Sequence, residues 1–430
     1  MRPEQTPREH EAAAAGPPGT SVTSDSVRPA ATLLATQFLS ALADHTLLIL
    51  AIALLQQAQA PAWMTPMLKF TFILAYVALA FWVGRWADWR PKREVMFAAN
   101  LLKAAGCMAL IAGLHPLLAY GVVGVGAAAY SPAKYGLLTE LLPARMLVRA
   151  NAWLEGLTIG AVILGTVLGG LLVNQELLGA LHRVAGQDTL TLLPGLFVAV
   201  LLYGASALLN LRVPDSGRRY LAPTRPALPV FAAALAALWA DRLARISLLC
   251  TTLLWGVGAV LQFLVLDWGR QSLGLSLDSA ALLQAGFAVG VAAGAVLAGR
   301  LLVLERVERL LPWSLLLGPV LLMILPLAGS VIGTAVHIGV MGLAAGLFVV
   351  PMNALLQHRG YVLLNAGQSI AVQNFCENLS VLGVVALYAM ALKQTAVLEH
   401  IVIGLAAALS TCLLLIWRGN LPPAATAPRQ

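Results

Sequence analysis

Charge is scarce in this sequence. Asp, Glu, Lys and Arg make up 11% of its 430 residues, where a water-soluble domain carries about 25%. With 60% of the residues hydrophobic, no single aqueous core can hide the apolar surface. Cysteine is equally sparse. Cys107, Cys250, Cys376 and Cys412 stand singly in apolar segments without a CxxC, which excludes a disulfide framework and offers no zinc site. The seven His residues show no ligand spacing, so no metal or other cofactor is expected. HxxxxD, GxSxG, HExxH and phosphate-loop signatures are missing, so the chain reads as a non-enzyme and transport by ATP hydrolysis is not expected. Residues 1–29 lack the apolar stretch of a cleavable signal peptide and read as a disordered cytoplasmic tail.

What is present in abundance is apolar sequence of membrane-spanning length. Windows of about 20 residues recur twelve times, centred near residues 44, 78, 104, 128, 162, 202, 257, 291, 320, 345, 379 and 407. Lipid leaves no partner for an open sheet edge, so an all-α polytopic membrane protein follows. The net charge of +8 fits excess Lys/Arg in cytoplasmic loops better than a nucleic-acid surface. With both termini inside, twenty-one of the 27 basic residues fall on the cytoplasmic side. Four (Lys69, Arg183, Arg270, Lys393) fall outside, and Lys103 and Lys134 lie within spans.

The stretch VPDSGRRYLAPTRPALPV divides the spans six and six. The expected layout is a tail over 1–29, a six-helix half over 30–212, a cytoplasmic linker over 213–245, a second six-helix half over 246–418 and a tail over 419–430. The linker's FAAALAALWADRLARIS reads as an amphipathic helix on the inner leaflet. A faint repeat joins the halves. Pro132 and Lys134 of span 4 align with Pro351 and Asn353 of span 10, and Asn151 and Glu155 of span 5 with Asn374 and Glu377 of span 11. Two parallel repeats are the organisation of the major facilitator fold.

Between spans 2 and 3 the sequence reads GRWADWRPKR. It resembles the Gly-x-x-x-Asp-basic loop of major facilitators, with Gly84, Asp88, Arg90, Lys92 and Arg93, although Trp89 and Pro91 depart from the pattern. Glycine permits close helix approach, and an Asp at a helix end can pair with bases or with a neighbouring helix's amides. This loop is therefore expected to latch the cytoplasmic side.

Ionisable groups inside a span cost about 3 kcal/mol or more, which makes them functional candidates. Gln37, Ser40 and Asp44 share one face of span 1, with His45 beside the acid. AYSPAKYG on span 4 contributes Tyr130 and Lys134, and Gln262 and Asn353 are neutral candidates on spans 7 and 10. An acid at mid-membrane suits an ammonium or a proton, and a lysine suits a phosphate. Asn100, Lys103, Glu155, Asn374 and Glu377 are expected to gate or couple, with Lys103 close enough to the inner surface to snorkel.

TQFLSALADHTLL, GVGAAAYSPAKYG, FVVPMNALLQHRG and AVQNFCEN resemble the bacterial lysophospholipid transporters of the major facilitator superfamily, over roughly residues 33–418. The resemblance implies a flippase moving lysophosphatidylethanolamine-type lipids from the outer to the inner leaflet of the bacterial inner membrane. It also implies a separate cytoplasmic acyltransferase/acyl-ACP synthetase that reacylates them. Relatives can carry Arg where this chain has Gln262, and Asn where it has His45. The other reading is a proton-coupled exporter of small drugs or solutes, with Asp44 or Glu155 as proton carrier.

Overall fold

The computed structural model describes residues 24–61, 63–173, 192–218, 220, 226–327, 329–394 and 397–420, and every element among them is helical. Six long helices precede the linker: α1 (Ser24–Gln57), α2 (Met64–Trp89), α3 (Lys92–Ile111), α4 (Pro116–Leu141), α5 (Ala144–Val173) and α6 (Leu193–Asn210). The linker holds α7 (Ala227–Ala240). Then come α8 (Arg242–Gln271), α9 (Leu277–Leu301), the short α10 (Leu311–Ser314) and α11 (Leu317–Leu322), α12 (Val331–Leu363), α13 (Ala366–Gln394) and α14 (Leu398–Gly419). Helix α1 begins at Ser24, inside the stretch expected to be tail, while residues 1–23 and 421–430 lie outside the described residues.

Ten of these helices are long and apolar enough to cross a bilayer. An eleventh crossing is the bent pair Leu304–Ser314 and Leu317–Leu327, broken by 53°. Pro312, Pro319 and Pro326 recur every seven residues there, and each removes a backbone donor and clashes with the preceding turn. The twelfth is α4, 26 residues and so about 39 Å long. Most of α4 is buried among its neighbours, from Ala119 to Thr139. Protein rather than lipid surrounds it, so it tolerates Tyr120, Tyr130, Ser131 and Lys134 without a wholly apolar surface.

Close packing inside the C-terminal half rests on glycine. A Cβ on Gly290 or Gly294 would strike the backbone of α12, and one on Gly342 or Gly346 would strike the backbone of α9. The glycine-rich face of α9 is thereby locked against α12 within one half. Across the halves, α2 and α4 meet α13, and α5 meets α9 and α12. Gly84 lies against Ala371 and the Gly367 carbonyl, and Gly299 against Ala152.

The stretch expected as one amphipathic linker helix is two helices. Helix α7 carries no charge and buries Phe231, Ala234 and Leu238. Phe231 stacks edge-on with Phe81 of α2 at 4.8 Å and with Phe375 of α13 at 5.4 Å, so α7 bridges the halves. Asp241 ends α7 and caps α8, accepting from the Ala244 amide at 2.8 Å, and pairs with Arg359 at 2.5 Å. Burial pushes the Asp241 carboxyl up, but the Arg359 guanidinium and the cap amides outweigh it and hold it below the usual carboxylate range.

Candidate functional site

Helices α1, α3 and α6 meet at Asp44. Lys103 of α3 donates to both its oxygens, at 3.0 and 2.8 Å. Tyr203 of α6 donates to the same carboxylate at 2.8 Å. Lys103 also donates to Ser40 at 3.0 Å, Ser40 donates to Asn100 at 2.8 Å, and Asn100 donates to Ser206 at 3.0 Å. The Tyr130 and Tyr203 rings lie 5.3 and 5.7 Å from the ammonium. Lys103 is only 2% exposed. It does not snorkel, because the half-buried Asp44 carboxylate satisfies it at far lower cost than a stretched side chain. Asp44 keeps 18% of its side chain exposed, so one edge remains open. Gln37, on the same face of α1, donates to Thr158 of α5 at 3.2 Å.

Lys134 is buried on α4, two residues after Pro132, with its ammonium 4.1 Å from the Tyr135 ring centroid. Among the described residues no carboxylate lies within ion-pair distance of it. The charges of Glu155, Asp44 and Lys103 act on it through space. Asn353 occupies the matching place on α12, two residues after Pro351. Gln373 donates to Asn353 at 3.0 Å and to Glu377 at 2.8 Å. The charge of Glu155 reaches Glu377 across the interface between the halves. Lys134, Glu155 and Glu377 thus share one polar neighbourhood.

Toward the linker end the halves are tied together. Asp88 accepts from the amides of Gly367 at 2.7 Å and Gln368 at 3.0 Å, the open N-terminal donors of α13. Lys92 joins from the other side, 3.8 Å from Asp88 and 2.7 Å from Glu140. Gly84, one turn before Asp88, lets α2 come close enough for these bonds. Asn151 and Gln357 exchange two amide hydrogen bonds of 2.9 Å, and Asn374 donates to Ser131 at 2.9 Å. All of these side-chain bonds between the halves fall in one linker-side zone.

Other sequence candidates stand apart. Arg90 turns outward and stacks on Trp89 at 4.4 Å, and Arg93 is half-buried, so neither reaches Asp88. Gln262 is exposed, and its backbone carbonyl accepts from Gln284 at 3.2 Å. His45 packs its Cβ against Gly165 of α5. Sequence reasoning missed Tyr203, Ser206 and Gln357, and the pairing of Glu140 with Lys92. A lone Tyr or Ser in an apolar span usually packs as core, and only the fold brings Tyr203 to Asp44, 159 positions away.

The sequence profile of the Major Facilitator Superfamily matches residues 31–385. Proteins named lysophospholipid transporter LplT from Yersinia pestis (strain Pestoides F) and Yersinia pseudotuberculosis serotype O:3 (strain YPIII) are 40% identical over 366 residues. Those matches cover 84% of this chain and 86% of each relative. Among solved structures, the MFS transporter FucP in the outward conformation superposes with a TM-score of 0.71 at 14% identity. It covers 92% of this chain and 99% of that one. A bacterial homologue of the iron transporter ferroportin in an outward-facing state gives 0.66 at 14% identity, covering 90% and 99%. At such identities these likenesses speak for the fold alone.

Proposed function

The chain belongs to the major facilitator superfamily and to its bacterial lysophospholipid transporters, and on that footing we propose that it moves lysophosphatidylethanolamine-type lipids from the outer to the inner leaflet of a bacterial inner membrane. The observation that carries this reading is a buried lysine with no carboxylate at contact distance among the described residues, together with a partly open aspartate, in a chain 40% identical to named lysophospholipid transporters. Lys134 takes the phosphate. Asp44, held by Lys103 and Tyr203, offers its exposed edge to the ammonium. Gln37, Tyr130 and Asn353 complete the candidate substrate wall.

The excess of basic residues supports a cytoplasmic linker end and cytoplasmic termini. In that orientation the latch closes the cytoplasmic side and the headgroup enters from outside. Transport then requires Asp88 to release the α13 amides, with Gly84, Lys92, Asn100, Lys103, Glu155, Asn374 and Glu377 resetting as the halves rock. Arg90 and Arg93 serve orientation rather than the latch. Each methylene taken from apolar surroundings costs about 0.8 kcal/mol, so roughly 15 of them cost about 12 kcal/mol. The acyl chain therefore stays in oil, leaving the headgroup to cross alone through a lateral opening between the halves. A separate cytoplasmic acyltransferase/acyl-ACP synthetase consumes the product.

Reconstituted transport of lysolipids differing only in headgroup, with and without an imposed proton gradient, tests the reading. Gradient-independent flux of phosphate-bearing lysolipids supports it. Flux that needs a pH gradient and ignores lysolipid would favour the proton-coupled exporter, for which the facing Glu155 and Glu377 supply carboxylates.

A further inference from the structure

Lys69 enters the structure in a place that sequence counting did not suggest. Counted on the outer side, it is the sixth residue of α2, inside a candidate span rather than beyond it. Tyr76 follows seven residues later, about two turns on, and so shares its face of the helix. That face looks inward, because the charge of Asp44 reaches Tyr76 and the Tyr76 ring lies 5.9 Å from Phe72, itself stacked on Tyr120 of α4. The neighbouring stripe of Phe70 and Leu74, 40% and 43% exposed, is the lipid-facing side.

The Lys69 side chain is exposed. Its charge acts on His45, next to Asp44. Among the described residues it has no ion pair and no hydrogen bond. Among the described residues, the side-chain bonds that tie the halves lie toward the far, linker-side end. A cation kept within a span without a protein counter-ion is costly. A visiting anion removes that cost.

The geometry points to Lys69 as an outer capture station for the phosphate of the incoming lysolipid, roughly 10 Å nearer the start of α2 than Tyr76. This rests on the reading of the chain as a lysophospholipid transporter. The phosphate is held first at Lys69 and then passes inward to Lys134. Capture speeds loading but adds nothing to the crossing step, so it governs half-saturation and not the maximal rate.

The test is transport kinetics of full-length protein in liposomes, with lysophosphatidylglycerol as the probe and Lys69→Gln and Lys69→Arg as variants. Lys69→Gln is expected to raise KM roughly fivefold at low salt, the scale of one exposed charge pair, with kcat retained. Lys69→Arg is expected to stay near wild type. An unchanged KM in Lys69→Gln, an equal rise in Lys69→Arg, or a fall in kcat alone would overturn the assignment. Wild-type protein supplies a second readout by amine-reactive labelling of Lys69. Lysophosphatidylglycerol should protect Lys69 where a monoacylglycerol of the same chain does not; equal labelling with both contradicts capture of phosphate. Absence of lysolipid flux in wild type would instead sink the transport reading itself.

Discussion

Replacing Asp88 by Asn should spring the linker-side latch. The carboxylate accepts two α13 amides, at 2.7 and 3.0 Å, and lies 3.8 Å from Lys92. Asparagine keeps one acceptor oxygen and turns an NH2 group toward the other amide. One charge-assisted hydrogen bond, about 1.5–3 kcal/mol, is lost outright. The negative charge at a helix N-terminus adds about 0.3–1 kcal/mol more. The closed state therefore weakens by roughly 2–4 kcal/mol, which multiplies the open-to-closed ratio by about 30- to 700-fold. Spin labels at Trp86→Cys and Leu363→Cys, both exposed and on opposite halves, report the separation after the native cysteines are replaced. A single short distance is expected with Asp88 in place, and a broad or longer distribution in the Asp88→Asn variant. An unchanged distribution would refute the latch energetics.

Lys103→Met strands the Asp44 carboxylate, and the melting temperature in detergent should drop in keeping with about 3–5 kcal/mol; adding Asp44→Asn should recover much of the stability without restoring transport. Asn151→Ala or Gln357→Ala leaves a buried amide unpaired at about 1–3 kcal/mol. The double variant should therefore cost less than the summed singles in thermal unfolding. Gly294→Val should abolish folded protein on size-exclusion chromatography, because its Cβ would collide with the Leu343 carbonyl, whereas Gly286→Ala, with open space around it, should behave as wild type. Asp241 is held below its usual range in the folded state. Its contribution is present above the ordinary carboxylate pKa and fades as pH falls through the lowered one, so Asp241→Asn should flatten the acid limb of a stability-versus-pH curve.

The spans and their number were legible because lipid imposes one rule on every helix, and that rule can be read from composition. The exceptions have physical causes. Helix α4 is shielded by neighbours and so is less apolar, and the span with Pro312, Pro319 and Pro326 is broken where prolines forbid continuity. The site was legible in its residue types but not in its pairings. Asp44, Lys103 and Lys134 announce themselves as charges in apolar runs. Nothing in their spacing says that Lys103 rather than Lys134 is bound to Asp44, since that depends on how α1, α3 and α6 are arranged. The Gly84–Asp88 spacing pointed to a helix-end contact, and the amides it meets, 279 and 280 positions away, come from the fold alone.

Transport as proposed stands or falls with Lys134 and Asp44 carrying a lysolipid headgroup across the membrane. The most direct measurement is inversion of fluorescent lysophosphatidylethanolamine in proteoliposomes carrying wild type, Lys134→Ala or Asp44→Ala, each at matched folded protein. Rapid inversion by wild type and loss of most of that rate in both variants are the predicted results. Wild-type rates in both variants would contradict the proposal.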